Sequence, residues 1–218
     1  ESKTPVGSGR AGAVKLAAGE TQTVTAEMTV ASPELWNLGD PELYVVETTI
    51  DFGSAANDVT ESEFGFRYFE FNNKEGFFLN GNPVKLKGVC MHHDQGALGA
   101  AAYHRAIERQ GEILQDMGCN AIRVTHNPAS ESLIEICNEK GMLVIEEIFD
   151  GWHGSKNGNN QDYAKWYGTA VEPDNQILGK DRDSMTWAEF DLRSVIRRDY
   201  NAPSVISWSL GNEVMEGI

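Results

Sequence analysis

The chain has 218 residues, with 18 Lys or Arg against 33 Asp or Glu, and its formal net charge at pH 7 is −15. Its 40 % apolar and 23 % charged residues are typical of a globular protein that is long enough to bury a core. The negative charge and the lack of a basic patch argue against nucleic-acid binding. No apolar run approaches the ~20 residues of a membrane span. The three cysteines have no C-x-x-C spacing, so neither a zinc site nor a disulfide framework is predicted.

The first 68 residues have the patterns of β-strands. Residues 22–30 alternate apolar and polar side chains, and residues 43–50 are rich in β-branched ones. Turn-rich stretches lie between them and again at residues 53–57. Because no segment here has helical spacing, we expect a small β-sandwich layer, which at this length is short for a complete sandwich.

From Phe69 onward, strand-like and helix-like segments alternate. The predicted strands are residues 84–91, 120–125, 142–148 and 204–210. The predicted helices are residues 103–117 with Ile107, Leu114 and Met117 on one face, residues 130–140, and a later segment with Trp187, Phe190, Val195 and Ile196. This alternation indicates a parallel sheet with right-handed crossovers. Four such units form either a small open sheet or the first half of an eight-stranded barrel.

Ionisable and amide side chains lie at the end of every predicted strand, which is where parallel α/β proteins hold their working residues. They are His92, His93 and Asp94, then Arg123, His126 and Asn127, then Glu146, Glu147, Asp150 and His153, and finally Asn212 and Glu213. Charges at this density are costly to hold together without a ligand or a function. The sequence therefore predicts a functional site at this edge of the sheet.

Glu213 is the sharpest single candidate, because it directly follows an apolar strand that contains Trp208. A partly apolar wall would raise the pKa of such a carboxyl and suit it to general acid catalysis, whereas the alternative is a solvated loop glutamate. Arg123 lies inside a strand and should be paired if it is buried, with Glu147 on the next strand as the nearest candidate.

The histidines leave alternatives open. His92, His93 and Asp94 could bind a metal or sugar hydroxyls, or could simply end a strand with hydrogen bonds. Neighbouring strand residues point to opposite faces, which argues against a metal held by both histidines. His126 is either a ligand-facing group or a buried, hydrogen-bonded histidine.

Residues 198–213, RDYNAPSVISWSLGNE, resemble the acid/base signature of glycoside hydrolase family 2, which contains β-galactosidases, β-glucuronidases and β-mannosidases. Residues 120–128 and 88–94 are similar to that family's motifs on the second and first barrel strands. Residues 64–69 resemble its junction between an immunoglobulin-like domain and the barrel, and Trp36 with residues 41–44 resembles a motif of that domain.

The resemblance implies an immunoglobulin-like β-sandwich, possibly incomplete, over residues 1–68 and the first half of a (β/α)8 TIM barrel over residues 69–218. It assigns Glu213 as the catalytic acid/base and gives the other site residues two roles. Substrate binding falls to Asn212, which would bond the sugar 2-hydroxyl, and to His92, His126, Asp94 and Trp208. Arg123 and Glu147 would be supporting residues.

The activity implied by the resemblance is that of a retaining exo-β-glycosidase, most similar to a β-galactosidase on the run from His92 to Gly99. Its nucleophile would lie beyond residue 218, so residues 1–218 alone are expected to be inactive. The alternatives are a non-catalytic carbohydrate-binding fragment and a β-glucuronidase or β-mannosidase of the same family.

No cofactor is expected. Some β-galactosidases of the family hold magnesium with a glutamate two residues before a histidine, but Gly151 stands at that place before His153, which makes a magnesium site doubtful. The expected partner is a carbohydrate substrate, with no nucleic acid and no membrane. A half-barrel exposes apolar strand edges and helix faces, so either association, for example as a homo-oligomer, or marginal stability in isolation is expected. The acidic balance fits a soluble bacterial-type enzyme, cytoplasmic or secreted.

Overall fold

A computed structural model describes residues 4–53, 56–172 and 185–213 of the chain. The chain divides into two compact units, Glu1–Glu34 and Leu35–Ile218. None of the helices in the described ranges is both long and apolar enough to cross a membrane.

The first unit, as far as it is described, contains no helix and no strand. The predicted strand over residues 22–30 is therefore wrong. Val24 and Met28, which should face a core in that prediction, are 51 % and 48 % exposed. Alternation of apolar and polar side chains makes a strand only when a neighbouring backbone completes the hydrogen-bond ladder, and residues 22–30 have no such ladder in the structure.

The second unit begins with an antiparallel hairpin of β1 (Tyr44–Ile50) and β2 (Asp58–Phe64), in which Tyr44 lies opposite Phe64. The prediction of a strand over residues 43–50 is confirmed. The rings of Tyr44 and Phe64 both contact Phe66, each with centroids 5.1 Å apart. This aromatic group closes the end of the hairpin nearest to the rest of the unit.

A three-stranded antiparallel sheet that was not predicted follows: β3 (Phe69–Asn72), β4 (Gly76–Leu79) and β5 (Asn82–Val84). The turn between β4 and β5 is Asn80-Gly81, and both residues have positive φ, of 50° and 78°. This is the pair of conformations that a tight hairpin turn requires, and Asn-Gly is the sequence that favours it. The signal was present in the sequence, within a segment interpreted only as the start of an α/β region.

The parallel sheet contains β6 (Gly88–His92), β7 (Ala121–Thr125), β8 (Leu143–Glu147) and β9 (Val205–Ser209), hydrogen-bonded in that order. The predicted alternation is therefore confirmed, with one correction. The expected strand over residues 84–91 is divided between β5 and β6. The Asn120 side chain holds the intervening backbone, since its Oδ1 accepts from Lys87 N at 2.8 Å and its Nδ2 donates to Lys85 O at 3.1 Å.

Within the described ranges, four α-helices lie between the strands of this sheet: α1 (His104–Asp116), α2 (Glu131–Lys140), α3 (Ala164–Tyr167) and α4 (Trp187–Asp199). In α2 the Ser130 side chain accepts from Leu133 N at the start of the helix, and Gly141 ends it with φ 67°. In α1 Ile107 is buried, but Met117 is 70 % exposed because the helix ends at Asp116, so Met117 is not part of the buried face.

Apolar side chains from the sheet and from α1 and α2 form the main core, which includes Ile107, Ile122, Val124, Leu133 and Val144. A second core surrounds Trp36, which is fully buried and donates from Nε1 to the Asn138 carbonyl at 2.7 Å. Because both cores pack against the parallel sheet, they hold in place the strand ends at which the ionisable residues lie.

Candidate active site

Glu147, the last residue of β8, is the centre of a hydrogen-bonded network and has no exposed surface. Its Oε2 accepts from Arg123 Nη2 at 2.6 Å, from Arg123 Nε at 3.1 Å and from Ser209 Oγ at 2.8 Å. Its Oε1 lies 2.6 Å from His126 Nδ1. The ion pair between Arg123 and Glu147 that the sequence predicted is therefore present.

Strand register explains why these groups meet. Ser209 lies directly opposite Glu147 on β9, so the two side chains share one face of the sheet. Arg123 pairs in register with Ile145, two residues before Glu147, and its long side chain spans that distance. His126 follows directly after β7, and the peptide bond between Thr125 and His126 is cis.

The charge on Glu147 is stabilised by its partners. Burial acts to raise the pKa of Glu147, but the hydrogen bonds from His126, Arg123 and Ser209 outweigh it and hold the pKa below its ordinary value. The same contact raises the pKa of Arg123. Glu147 and Arg123 therefore form a fixed ion pair at neutral pH, and this pair supports the neighbouring side chains of the site.

Asn212 extends the network from the loop after β9. Its Oδ1 accepts from Arg123 Nη2 at 3.1 Å, its Nδ2 donates to Asp150 Oδ1 at 3.3 Å, and its backbone N–H donates to the Phe149 carbonyl at 2.9 Å. Because the amide oxygen of Asn212 accepts a hydrogen bond and the amide nitrogen donates one, the orientation of this side chain is fixed.

Glu213, the next residue, has a left-handed backbone with φ 49°, which costs a non-glycine residue about 1 kcal/mol or more. Its side chain is 74 % exposed, and its Oε2 lies 3.4 Å from Lys156 Nζ. The apolar wall that the sequence predicted around this carboxyl is absent among the described residues. Glu213 is instead exposed, with the Lys156 ammonium group beside it.

His92 and His126 lie together, with ring centroids 5.2 Å apart at an interplanar angle of 87°. His93 is directed elsewhere, and its Nε2 lies 3.3 Å from the Asn127 carbonyl. This agrees with the expectation that the two neighbouring histidines face different sides.

Three candidates lie apart from the network. The carboxylate of Asp94 accepts from Gly96 N at 2.8 Å and so holds the short turn after β6. Trp208 lies opposite Glu146 rather than Glu147, on the face that packs against the main core. His153 packs against the ring of Tyr167 at 4.8 Å. The strand register thus directs Trp208 to the face opposite Glu147, while its role in binding substrate stays a prediction.

Two residues that sequence reasoning missed complete the site. Ser209 donates to Glu147 from the neighbouring strand. Lys156 lies in a loop rich in Gly and Asn, which has no periodic pattern, so nothing in the sequence indicated that it reaches Asp150 at 2.7 Å.

Within residues 4–53, 56–172 and 185–213, no three His, Cys, Asp or Glu side chains are grouped so that they could hold a metal ion. Lys156 Nζ lies 3.4 Å from Glu213 Oε2, and its charge disfavours a second cation at that place.

Two family models together match almost all of the chain. Residues 3–67 match the model described as "Glycosyl hydrolases family 2", and residues 70–218 match the one described as "Glycosyl hydrolases family 2, TIM barrel domain".

Curated relatives and solved structures agree with these models. A β-galactosidase of Bacteroides ovatus, BoGH2A, is 40 % identical over 91 % of this chain, and a putative β-glucuronidase of Formosa agariphila is 38 % identical over 87 %. The structure of a glycosyl hydrolase family 2 member from Bacteroides cellulosilyticus has a TM-score of 0.76 at 39 % identity, covering 89 % of this chain and 23 % of its own. The chain spans only 21 % and 16 % of the two curated relatives.

Proposed function

The chain belongs to glycosyl hydrolases family 2, and from this premise we propose that it forms part of a retaining exo-β-glycosidase with Glu213 as the catalytic acid/base. One observation carries the proposal: the exposed Glu213 carboxyl directly follows Asn212, whose amide is bonded to Arg123 of the Arg123–Glu147 pair, at the carboxyl end of the parallel sheet. The site thus offers an exposed carboxyl next to a fixed amide.

In the proposed mechanism the Glu213 carboxylic acid donates a proton to the glycosidic oxygen as the bond to the leaving group breaks. The resulting carboxylate then takes a proton from the water that releases the sugar. The Asn212 amide would bond the sugar 2-hydroxyl, an interaction that strengthens in the transition state. His92 and His126 would line the pocket for the terminal sugar.

A retaining enzyme needs a second carboxyl ~5–5.5 Å from the first, which attacks the sugar carbon. Glu147 is an unsuitable nucleophile, because hydrogen bonds from Arg123, Ser209 and His126 occupy both of its oxygens. We therefore propose that the nucleophile belongs to a part of the protein beyond residue 218. Residues 1–218 alone are then a carbohydrate-binding but inactive piece.

The substrate proposed first is a terminal β-galactoside, supported by the 40 % identity to the β-galactosidase of Bacteroides ovatus. A β-glucuronide is the second candidate, because the Formosa agariphila relative at 38 % identity is a putative β-glucuronidase. The proposed mechanism uses no metal, since Gly151 offers no ligand and the Lys156 ammonium lies beside the acid/base. The proposed division places an immunoglobulin-like sandwich in residues 1–68 and the first half of the barrel in residues 69–218.

The test is a panel of aryl β-glycosides, comprising galactoside, glucuronide, mannoside and glucoside, offered to the full-length protein and to its Glu213→Gln variant. Cleavage of one sugar by the wild type, with loss in the variant, would support both the substrate class and the acid/base assignment. Failure to cleave any of the four would contradict the proposed function.

A further inference from the structure

One basic side chain connects the two residues that the proposed mechanism places on the substrate. Lys156 Nζ lies 2.7 Å from Asp150 Oδ1 and 3.4 Å from Glu213 Oε2. The same Asp150 oxygen accepts from Asn212 Nδ2 at 3.3 Å. Lys156 therefore contacts the acid/base directly and reaches the sugar-binding amide through one carboxylate.

The backbone at Lys156 is held in place, unlike that of an ordinary surface lysine. Asp162 Oδ2 accepts from Lys156 N at 3.0 Å, while Asp162 Oδ1 accepts from Ser155 Oγ at 3.2 Å and from Ala164 N at 3.1 Å. One carboxylate thus closes the loop from residue 155 to the start of α3. The Lys156 side chain begins from a fixed point and is only 30 % exposed.

The side chain also fills a defined space. A Cβ atom added to Gly151 would lie 3.7 Å from Cε of Lys156, in van der Waals contact with its aliphatic part. The hydrogen bond to Asp150, followed by the contact with Glu213, raises the pKa of Lys156, so the ammonium form is secured at neutral pH.

The Glu213 side chain is 74 % exposed, and within residues 4–53, 56–172 and 185–213 its carboxylate forms an ion pair with Lys156. A general acid must be placed within hydrogen-bond reach of the oxygen it protonates, and a displacement of ~1 Å can cost a hundredfold in rate.

Building on the proposed function, we propose that Lys156 is a positioning residue that holds Glu213 directly and Asn212 through Asp150. The acid/base and the amide then keep a fixed separation while the sugar binds. The charge of Lys156 also neutralises part of the charge that Asp150 and the Glu213 carboxylate bring to one edge of the sheet.

The contact itself is tested in the full-length protein by acylating lysines with an N-hydroxysuccinimide ester and following each site by mass spectrometry. Lys165 is the matched control, because it lies in the same segment with its ammonium over the Trp166 ring and contacts no carboxylate that the structure shows. We expect Lys156 to react several-fold more slowly than Lys165 and Asp150→Asn to remove the difference. Equal rates in the wild type would overturn the ion pair.

Its role is tested with Lys156→Met, the rescue variant Lys156→Arg and the control Lys165→Met, on glycosides whose leaving groups are phenol or 2,4-dinitrophenol. Loss of acid positioning should lower kcat/KM for the phenyl glycoside by roughly tenfold to a hundredfold, because only the poor leaving group needs the proton. The dinitrophenyl glycoside should change little, and Lys156→Arg should recover most of the loss. Equal loss on both substrates, or none, would overturn the proposed role.

Glu213→Gln separates this inference from the function on which it rests. If Glu213→Gln discriminates between the two leaving groups and Lys156→Met does not, only the positioning role fails. If Glu213→Gln itself shows no leaving-group dependence, the proposed acid/base is wrong, and Lys156 has no acid to position.

Discussion

Glu146 and Glu147 follow one another in β8, and neither has exposed surface. Their side chains nevertheless lie on opposite faces of the parallel sheet, and their pKa values are shifted in opposite directions. Glu147 bonds Arg123 and His126, and its pKa is lowered despite its burial. Glu146 lies on the helix side near Asp199, with Arg198 Nη2 3.3 Å from its Oε1, and its pKa is raised to about 8. One strand thus carries a charged site residue and a buried acid side by side.

Replacing Glu147 by Gln should destabilise the protein, since Arg123 and His126 lose their charged partner. We expect a loss of about 2 kcal/mol, less than for a fully buried pair because the Arg123 side chain is 35 % exposed. Urea denaturation followed by tryptophan fluorescence measures it. Glu135→Gln, at an exposed position of α2, is the control and should be neutral. A Glu147→Gln protein as stable as this control would contradict the importance of the network.

Glu146 should make stability depend on pH. Burial, followed by the charge of Asp199, raises its pKa from the ordinary 4.5 to about 8, while Arg198 opposes the rise. The unfolded chain therefore loses this proton first, and the stability contributed by the protonated Glu146 is complete below pH 4.5 and is lost as the pH rises towards about 8.

The comparison of wild type with Glu146→Gln isolates this effect, because the amide cannot ionise. Relative to the variant, the wild type should lose stability between pH 5 and 8 at up to about 1.4 kcal/mol per pH unit. Thermal unfolding at several pH values measures the difference, which should stay flat for Glu135→Gln. A constant difference between wild type and Glu146→Gln would show that Glu146 ionises normally.

Trp36 should be a main support of the second core. It has no exposed surface, and its Nε1 donates to the Asn138 carbonyl at 2.7 Å. Trp36→Phe should cost about 1–2 kcal/mol, because that buried carbonyl loses its donor, and Trp36→Ala about 3–5 kcal/mol through the cavity it leaves. Urea denaturation measures both, and Trp166→Phe, at a side chain that is 48 % exposed, should be close to neutral.

Hydrophobic periodicity and the glycines that end helices were sufficient to predict the parallel sheet and the helices α1, α2 and α4. Ser130 and Gly141 show why, since each acts on the chain next to it. Ser130 is the N-cap of α2, and Gly141 ends the same helix in a left-handed conformation. Residues 22–30 show the limit. Their alternation is as regular as that of a strand, but a ladder depends on a partner that no local pattern specifies.

The candidate site divides in the same way. Strand-end counting identified Glu147, Arg123 and Asn212, because the ends of parallel strands must meet at one edge. It could not determine which face of the sheet a side chain occupies, and so it included Glu146, which lies on the opposite face of β8 beside Arg198. Lys156 could not be predicted for a different reason, because its position is set by hydrogen bonds of Asp162 within an irregular loop.

Asn212 should act through the 2-hydroxyl of the sugar. In the full-length protein, Asn212→Ala should lower kcat/KM for an aryl glycoside by roughly tenfold to a hundredfold, since a charged or strengthened hydrogen bond in the transition state is lost. The matching 2-deoxy glycoside, which lacks that hydroxyl, should be cleaved equally well by wild type and variant. An equal loss on both substrates would contradict the assigned contact.

Azide rescue of Glu213→Ala in the full-length protein tests most directly whether Glu213 is the acid/base. The substrate is a 2,4-dinitrophenyl glycoside, which needs no acid assistance. Without the base, the glycosyl-enzyme should accumulate, and azide should enter the vacated space and attack it. If Glu213 is the acid/base of a retaining enzyme, azide accelerates turnover and the product is the β-glycosyl azide. An unchanged rate, or an α-glycosyl azide, would contradict that role for Glu213.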